Sequence, residues 1–328
     1  MFYLTTGCNN PHINLATEEY IFKNRNEQVF MVYRNSPCIV SGRNQNIMAE
    51  INCKYVFEHN IPLLRRISGG GTVYHDMGNL NYSFIENGRT VDLNEHRKTI
   101  CESLNKTGFN ALSGPGSDIV INGKKISGNA AAVSGNRVVH HGTLLYDTDL
   151  FKLSSVLSET GESYRDKAVD SKRSMVANLS GYNTTYYNAG INTFIEEFIS
   201  AIKSLTGFEG ELRLNKDDLQ KINKLALDKY LTQEWIYGYG PAYSLQREIE
   251  VGSSTYNSDI YVEKGKIIKC SISCIAGQPH VNYMLPALCN ILKDTWHYPN
   301  YIYEILGKTP EGTFFLNTLK DRWISVLF

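Results

Sequence analysis

The segment SDIVINGKKISGNAAAV, residues 117–133, brings an acidic and a basic residue to the same side of a tight turn. Asn122-Gly123 between two apolar-rich runs is a strong signal for a type I′ hairpin. With those two residues as the loop, Ile121 pairs with Lys124, Val120 with Lys125, Ile119 with Ile126, and Asp118 with Ser127. One face then carries Ile119, Ile121 and Ile126, and the other carries Asp118, Val120, Lys125 and Ser127. Asp118 and Lys125 become diagonal neighbours about 7–8 Å apart, close enough to share a ligand. A solvated strand lysine is the plainer reading of Lys125 alone. The co-facial carboxylate is what favours chemistry.

A second candidate lies upstream. RRISGGGTVYHDMGNLNYSF, residues 65–84, sets three consecutive glycines behind two arginines and between two strand-like runs. Glycine-rich loops cradle phosphates because backbone N–H groups approach an anion when no Cβ intervenes. The common nucleotide motifs do not fit, however. Gly69, Gly70 and Gly71 precede a strand rather than a helix, and Tyr74 stands where a dinucleotide fingerprint needs its last glycine. The Gly307-Lys308-Thr309 triplet has Ile302 in place of the first P-loop glycine. A bulged hairpin with Arg65 and Arg66 as solvated strand residues is the structural alternative. Adjacent strand residues point to opposite faces, so only one of the two arginines can serve a site beside the loop. Downstream, a two-residue Gly135-Asn136 loop points His140 toward the Lys125 face, whereas a bulge near Asn129 would reverse the parity in favour of His141.

The elements that must hold these residues follow from hydrophobic spacing and turn chemistry. VFMVYRN, CIVSGR, LLRRIS, TVYH and LNYSFIE read as strands. NLATEEYIFKN, MAEINCKYVFEHN and NEHRKTICESLNKTG read as helices, the last closed by Gly108. Two more helices are expected in INTFIEEFISAIKSLTG and NKDDLQKINKLALDKYLTQEW. Beyond WIYGYGPAY new strands begin (SLQREIEVG, SDIYVEKGKIIKCSIS), followed by helices in PHVNYMLPALCNILKDT and NYIYEILGK. This punctuation places a domain boundary near residue 243, giving domains 1–243 and 244–328. Strands and helices alternate irregularly, so the fold class is α+β with mixed or antiparallel sheets and flanking helices.

Composition narrows the function. The chain has 328 residues, 42% hydrophobic and 20% charged, which suits a globular protein with a substantial core. Its formal net charge is +0, which argues against a general nucleic-acid or membrane-surface binder. The start lacks the basic and apolar regions of a secretory leader, and no apolar run reaches membrane-spanning length. Seven scattered cysteines (Cys8, Cys38, Cys53, Cys101, Cys270, Cys274, Cys289) suit reduced thiols in a cytoplasmic protein. Cys270 and Cys274 have no second ligand pair at zinc-site spacing and read as strand thiols.

Together, SGRNQN (41–46), RRISGGGTVYHDMGNLNYSF (65–84), KKISGNA (124–130), HHGTLLYDTDL (140–150) and SKRSMVANL (171–179) resemble the lipoate–protein ligase A family of the biotin and lipoate ligases. The resemblance spans about residues 1–245 and implies that family's catalytic fold, with a small α+β accessory domain following. It implies a two-step reaction. Lipoate attacks the α-phosphate of ATP, with Mg2+ as activator, to give lipoyl-adenylate and pyrophosphate. A lysine of a lipoyl domain of a 2-oxo acid dehydrogenase, or of the glycine cleavage H protein, then displaces AMP. Carried over by position, Lys125 bridges the acyl carboxyl and the α-phosphate, and Arg66 holds phosphate. Gly71, Thr72, Val73 and Tyr74 line the adenylate. Ser68, Gly70, His75 and His141 sit at the lipoate, and Asp118 stands on the metal side. The resemblance further implies a cytoplasmic monomer without nucleic-acid or membrane partners and without a tightly bound prosthetic group.

One departure is visible. Where the family has Arg-Asn-Asp before its lysine hairpin, this chain has Gly116, Ser117 and Asp118. Two rival readings follow from chemistry. An octanoyltransferase of the superfamily passes its acyl group through a cysteine, but no cysteine lies between Cys101 and Cys270. A non-catalytic lipoate-binding relative would not need the arrangement of Arg66, the glycines and Lys125.

Overall fold

A computed structural model describes residues 1–90, 92–157, 163–168, 174–275 and 279–328. The chain forms two compact units. The first comprises Met1–Gly42, Leu63–Leu153 and Lys172–Leu231; the second comprises Arg43–Pro62, Ser154–Ser171 and Thr232–Phe328. The last changeover, between Leu231 and Thr232, falls twelve residues before the expected boundary, and two earlier segments also belong to the second unit.

The first unit is built on a six-stranded mixed sheet. Its order is Asn129–Ser134, Arg137–Leu145, Asn79–Asn87, Val29–Arg34, Phe2–Thr5 and Gly210–Glu211. The first four strands run antiparallel to one another, and Phe2–Thr5 lies parallel to the strands on both sides of it. Strand alternation divides the sheet into two faces. Phe30, Val32, Leu80, Tyr82 and Phe84 pack on one face against Ile100 and Leu104 of the helix Leu93–Lys106 and Phe194, Phe198 and Ile202 of the helix Thr184–Thr206. The opposite face receives the helix Pro11–Asn24, which buries nine consecutive residues from Asn14 to Phe22. A helix buried all round belongs to the core rather than the surface. It starts cleanly: the Asn10 side chain accepts from the His12 and Ile13 amides, and Pro11 occupies the first turn.

Two small sheets carry the sequence motifs. Leu63–Arg65, Cys38–Ser41 and Val73–His75 form one, so the glycines connect two strands that flank a third. Leu112–Ser113, Ile119–Ile121 and Lys124–Ser127 form the other. Asn122 and Gly123 both have positive φ, 49° and 75°, as a type I′ turn requires. Ile119, Ile121 and Ile126 enter the same apolar cluster as the main sheet, which fixes the hairpin.

The second unit is an antiparallel sheet, Tyr164–Arg165, Tyr243–Val251, Ser254–Glu263 and Lys266–Ile275, with helices Pro279–Leu292, Pro299–Gly307, Pro310–Leu319 and Trp323–Leu327. The helix expected in MAEINCKYVFEHN is two short ones, Ile47–Glu50 and Cys53–Glu58, separated by Ile51, which bridges to Leu157. Phe57 of the second packs at a tilt against Tyr303 and edge-to-face against Trp323. The expected α+β class with mixed and antiparallel sheets is the class observed.

Candidate active site

Lys125 and Asp118 meet directly: Nζ lies 2.9 Å from Oδ1. Val120 pairs with Lys125 as expected, but Ser127 pairs with Ile119, leaving Ile126 as the extra residue of a bulge. A further segment lies along the lysine. Its backbone N–H donates to the Met175 carbonyl at 2.8 Å, and Ala177 N–H donates to the Lys125 carbonyl at 2.9 Å. Ser174 Oγ reaches Asp118 Oδ2 at 3.5 Å. The SKRSMVANL stretch thus supports the lysine through its second half; residues 171–173 lie outside the described residues.

The two histidines have separate surroundings. Ser134 pairs with Arg137, so the two-residue Gly135-Asn136 loop is present, yet His141 is the histidine that joins the glycine loop. His141 Nε2 lies 2.6 Å from Ser68 Oγ, and its Nδ1 lies 2.9 Å from Glu18 Oε2. Ser83, the cross-strand neighbour of His141, donates its hydroxyl to Glu18 as well. His140 faces the other side of the sheet, 3.0 Å from His96 Nδ1 and 2.9 Å from Asn129 Oδ1.

The two arginines correct the solvated reading: Arg65 is 1% exposed and Arg66 7%. Burial lowers both guanidinium pKa values to about 10, still well above neutrality. Arg65 Nη1 donates to the Gly42 carbonyl at 2.9 Å. Arg66 donates to the Ser68 hydroxyl (3.0 Å), the Val40 carbonyl (3.1 Å) and the carbonyls of Gly69 and Gly71 (both 2.7 Å). It therefore braces the glycine loop from inside. Gly70 takes the left-handed conformation (φ 84°), and a Cβ there would lie 3.5 Å from Ala130, on the strand that follows the lysine hairpin. Gly70 thus faces Ala130, and the Ser68–His141 bond ties the loop to the next strand of the sheet.

The remaining expected residues sit on the same frame. Thr72 is buried with its hydroxyl 3.4 Å from Ser41 Oγ. Val73, Tyr74 and His75 pair with Val40, Ile39 and Cys38, and the Tyr74 side chain is buried. His75 Nδ1 receives the Asn35 amide at 3.0 Å, and that amide's orientation is set by Asn14, which donates to Asn35 Oδ1 at 2.9 Å. The proton of the neutral ring then resides on Nε2, which is buried without a partner. Burial, reinforced by Arg66, depresses the His75 pKa to about 3, so the ring is neutral. An orphaned buried N–H is rare in a folded protein.

Several contributors escaped the sequence reading. Glu18 is 1% exposed and orients His141; a glutamate within the apolar run of NLATEEYIF was its only signal. Asn129 donates to the Ser117 carbonyl at 2.8 Å and receives the Tyr82 hydroxyl, tying the hairpin strand to the residue before Asp118. Arg97 holds the same loop by donating to the Gly116 carbonyl at 2.6 Å. Among the described residues, no three or more metal-ligating side chains cluster.

An α+β fold with a lysine hairpin packed on an arginine-braced glycine loop defines a class of acyl-activating ligases. The Lipoyl protein ligase A/B catalytic domain profile matches residues 10–203. The chain belongs to that family. It is 35% identical over 309 residues to Lipoate–protein ligase 1 of Staphylococcus aureus, covering 92% of this chain and 93% of that one. A solved lipoate-protein ligase A bound with ATP superposes with a TM-score of 0.58 at 27% identity, covering 71% of this chain and 96% of that one. A bi-partite lipoate protein ligase from Thermoplasma acidophilum, described with its E2 lipoyl domain, gives 0.59 at 26% identity, covering 72% and 94%.

Proposed function

We propose that this chain is an ATP-dependent lipoate–protein ligase that forms lipoyl-adenylate and then acylates a lysine of a lipoyl domain. The observation that carries the reading is the ammonium of Lys125, fixed by Asp118 on a hairpin whose next strand faces the glycine loop. Family membership and the ATP-bound relative support it. Both steps develop negative charge, first around the α-phosphate and then on the carbonyl oxygen of the mixed anhydride. A preorganised cation beside both oxygens lowers both barriers.

In this reading the first unit is the catalytic body and the second the accessory part. Gly71 to Tyr74 present backbone to the adenylate, and Arg66 supports them chiefly by holding the glycine loop in shape. His75 Nε2–H and Ser68 offer donors on the acyl side, with His141 fixed behind Ser68 by Glu18. Mg2+ characteristically binds through one or two carboxylates plus substrate phosphates, keeping several waters. The lone Asp118 carboxylate fits that requirement, since no all-protein cage is needed. The ion would neutralise charge on the departing pyrophosphate. Lipoyl domains are the proposed acceptors because a relative is described with one.

The test is pyrophosphate exchange into ATP with purified protein and Mg2+, with and without lipoate, and no acceptor. Lipoate-dependent exchange is the expected result. Exchange absent from a folded protein that still binds lipoate would overturn the ligase assignment in favour of a binder.

A further inference from the structure

In the second unit, Cys270 Sγ lies 3.4 Å from Cys289 Sγ. The pair joins the edge strand Lys266–Ile275 to the helix Pro279–Leu292. Its geometry is imposed from a distance. Cys270, Ile272 and Cys274 share one strand face, alternating with exposed Ser271, Ser273 and Ile275. At the far end of that face, the Asn282 side chain donates to the Cys274 carbonyl at 2.7 Å and accepts from its N–H at 2.9 Å, mimicking a strand pair. Asn282 to Cys289 spans roughly 10 Å of helix at 1.5 Å per residue. Cys274 to Cys270 spans roughly 13 Å of strand at 3.3 Å per residue. The two antiparallel spans nearly match, so docking one end through Asn282 brings the two sulfurs together at the other. Cys270 and Cys274 are the strand thiols the sequence indicates, four residues apart on one strand.

We propose that Cys270 and Cys289 are a redox-active pair that closes to an intramolecular disulfide in exchange with a low-molecular-weight disulfide. Both thiols are half-buried, whereas Cys38, Cys53, Cys101 and Cys274 are buried. The hydrogen bond from Cys270 holds the Cys289 thiol below its ordinary range, which makes Cys289 the attacking group. Its thiolate attacks one sulfur of the small disulfide, forming a mixed disulfide and releasing one thiolate. Cys270 then loses its proton to water and attacks the Cys289 sulfur, releasing the second thiolate. The two protein thiols are oxidised by two electrons, and the small disulfide is reduced to two thiols. Oxidation brings the two sulfurs from 3.4 Å to a bond of about 2.05 Å. The bond fastens helix to strand at the end opposite Asn282.

The experiment equilibrates the full-length protein with graded ratios of oxidised to reduced glutathione, quenches with acid, alkylates and maps the peptides. The expected product is a single 270–289 crosslink, retained in Cys274→Ser and absent from Cys270→Ser and Cys289→Ser, each of which then carries glutathione on the remaining thiol. Circular dichroism verifies that each variant is folded. If both cysteines stay alkylatable at ratios that glutathionylate half-buried Cys8, or if the crosslink joins two molecules, the proposal fails.

Discussion

Lys125 and Asp118 form an ion pair whose side chains are 25% and 18% exposed. Pairs reaching solvent in this way contribute roughly 0–1 kcal/mol, because water screens the attraction and ordering two side chains costs entropy. The same ammonium, aimed at charge that develops during reaction, is worth far more. Removing one such stabiliser typically costs about 2.7–4 kcal/mol, or on the order of 100 to 1,000-fold in rate. Lys125→Ala should therefore abolish most lipoate-dependent pyrophosphate exchange while moving the denaturant midpoint little. An alanine variant with near-normal exchange would remove Lys125 from the chemistry. This residue was legible from sequence, because an Asn-Gly turn fixes which residues share a face. The distance was not, since the bulge at Ile126 depends on how three isoleucines fit a core that the hairpin sequence does not contain. Glu18 was less legible still: its burial comes from the sheet and loops around the helix.

At the level of elements, the glycine loop is held from both sides. Arg66 braces it through the carbonyls of Gly69 and Gly71, and Gly42 allows its close approach. A Cβ on Gly42 would stand 1.9 Å from the Gly70 carbonyl oxygen, which is backbone and cannot swing aside. Gly42→Ala should displace the loop, destabilising the first unit by about 1–3 kcal/mol, as overpacking does, and raising the KM for both ATP and lipoate. If steady-state kinetics show both constants unchanged, the loop is not the element that receives the adenylate. Strand identities here were readable because alternation and β-branched residues mark them. Membership of the units was not. Segments 43–62 and 154–168 join the second unit through contacts such as Phe57 with Trp323 and Ile51 with Leu157, and pairings so distant in sequence leave no local pattern.

Across the whole molecule, three histidines are buried as neutral rings, and they set how stability responds to acid. Burial lowers His75 and His140 to about 3 in the first unit and His297 to about 4 in the second, against an ordinary 6.5. His297 is further committed: it receives the Tyr243 hydroxyl at 2.6 Å and donates to the Leu327 carbonyl at 2.8 Å. The native state refuses a proton that the unfolded chain accepts below pH 6.5, so the unfolded state binds more protons there and stability rises with pH. The contribution is complete above pH 6.5 and declines as the pH falls toward 3 or 4. At pH 5 each ring has lost roughly 2 kcal/mol, from 1.36 kcal/mol per pH unit. The first unit, with two such rings, should lose about twice as much as the second between pH 7 and pH 5. Hydrogen exchange resolves the units separately, where a single global midpoint would merge two transitions. Protection in the strand Asn79–Asn87 should fall more steeply with acid than in the strand Ser254–Glu263. Replacing His140 with glutamine should flatten the first slope, whatever its cost at neutral pH. Equal, pH-independent protection in both strands over that range would mean that the buried rings take up protons in the native protein as readily as in the unfolded chain.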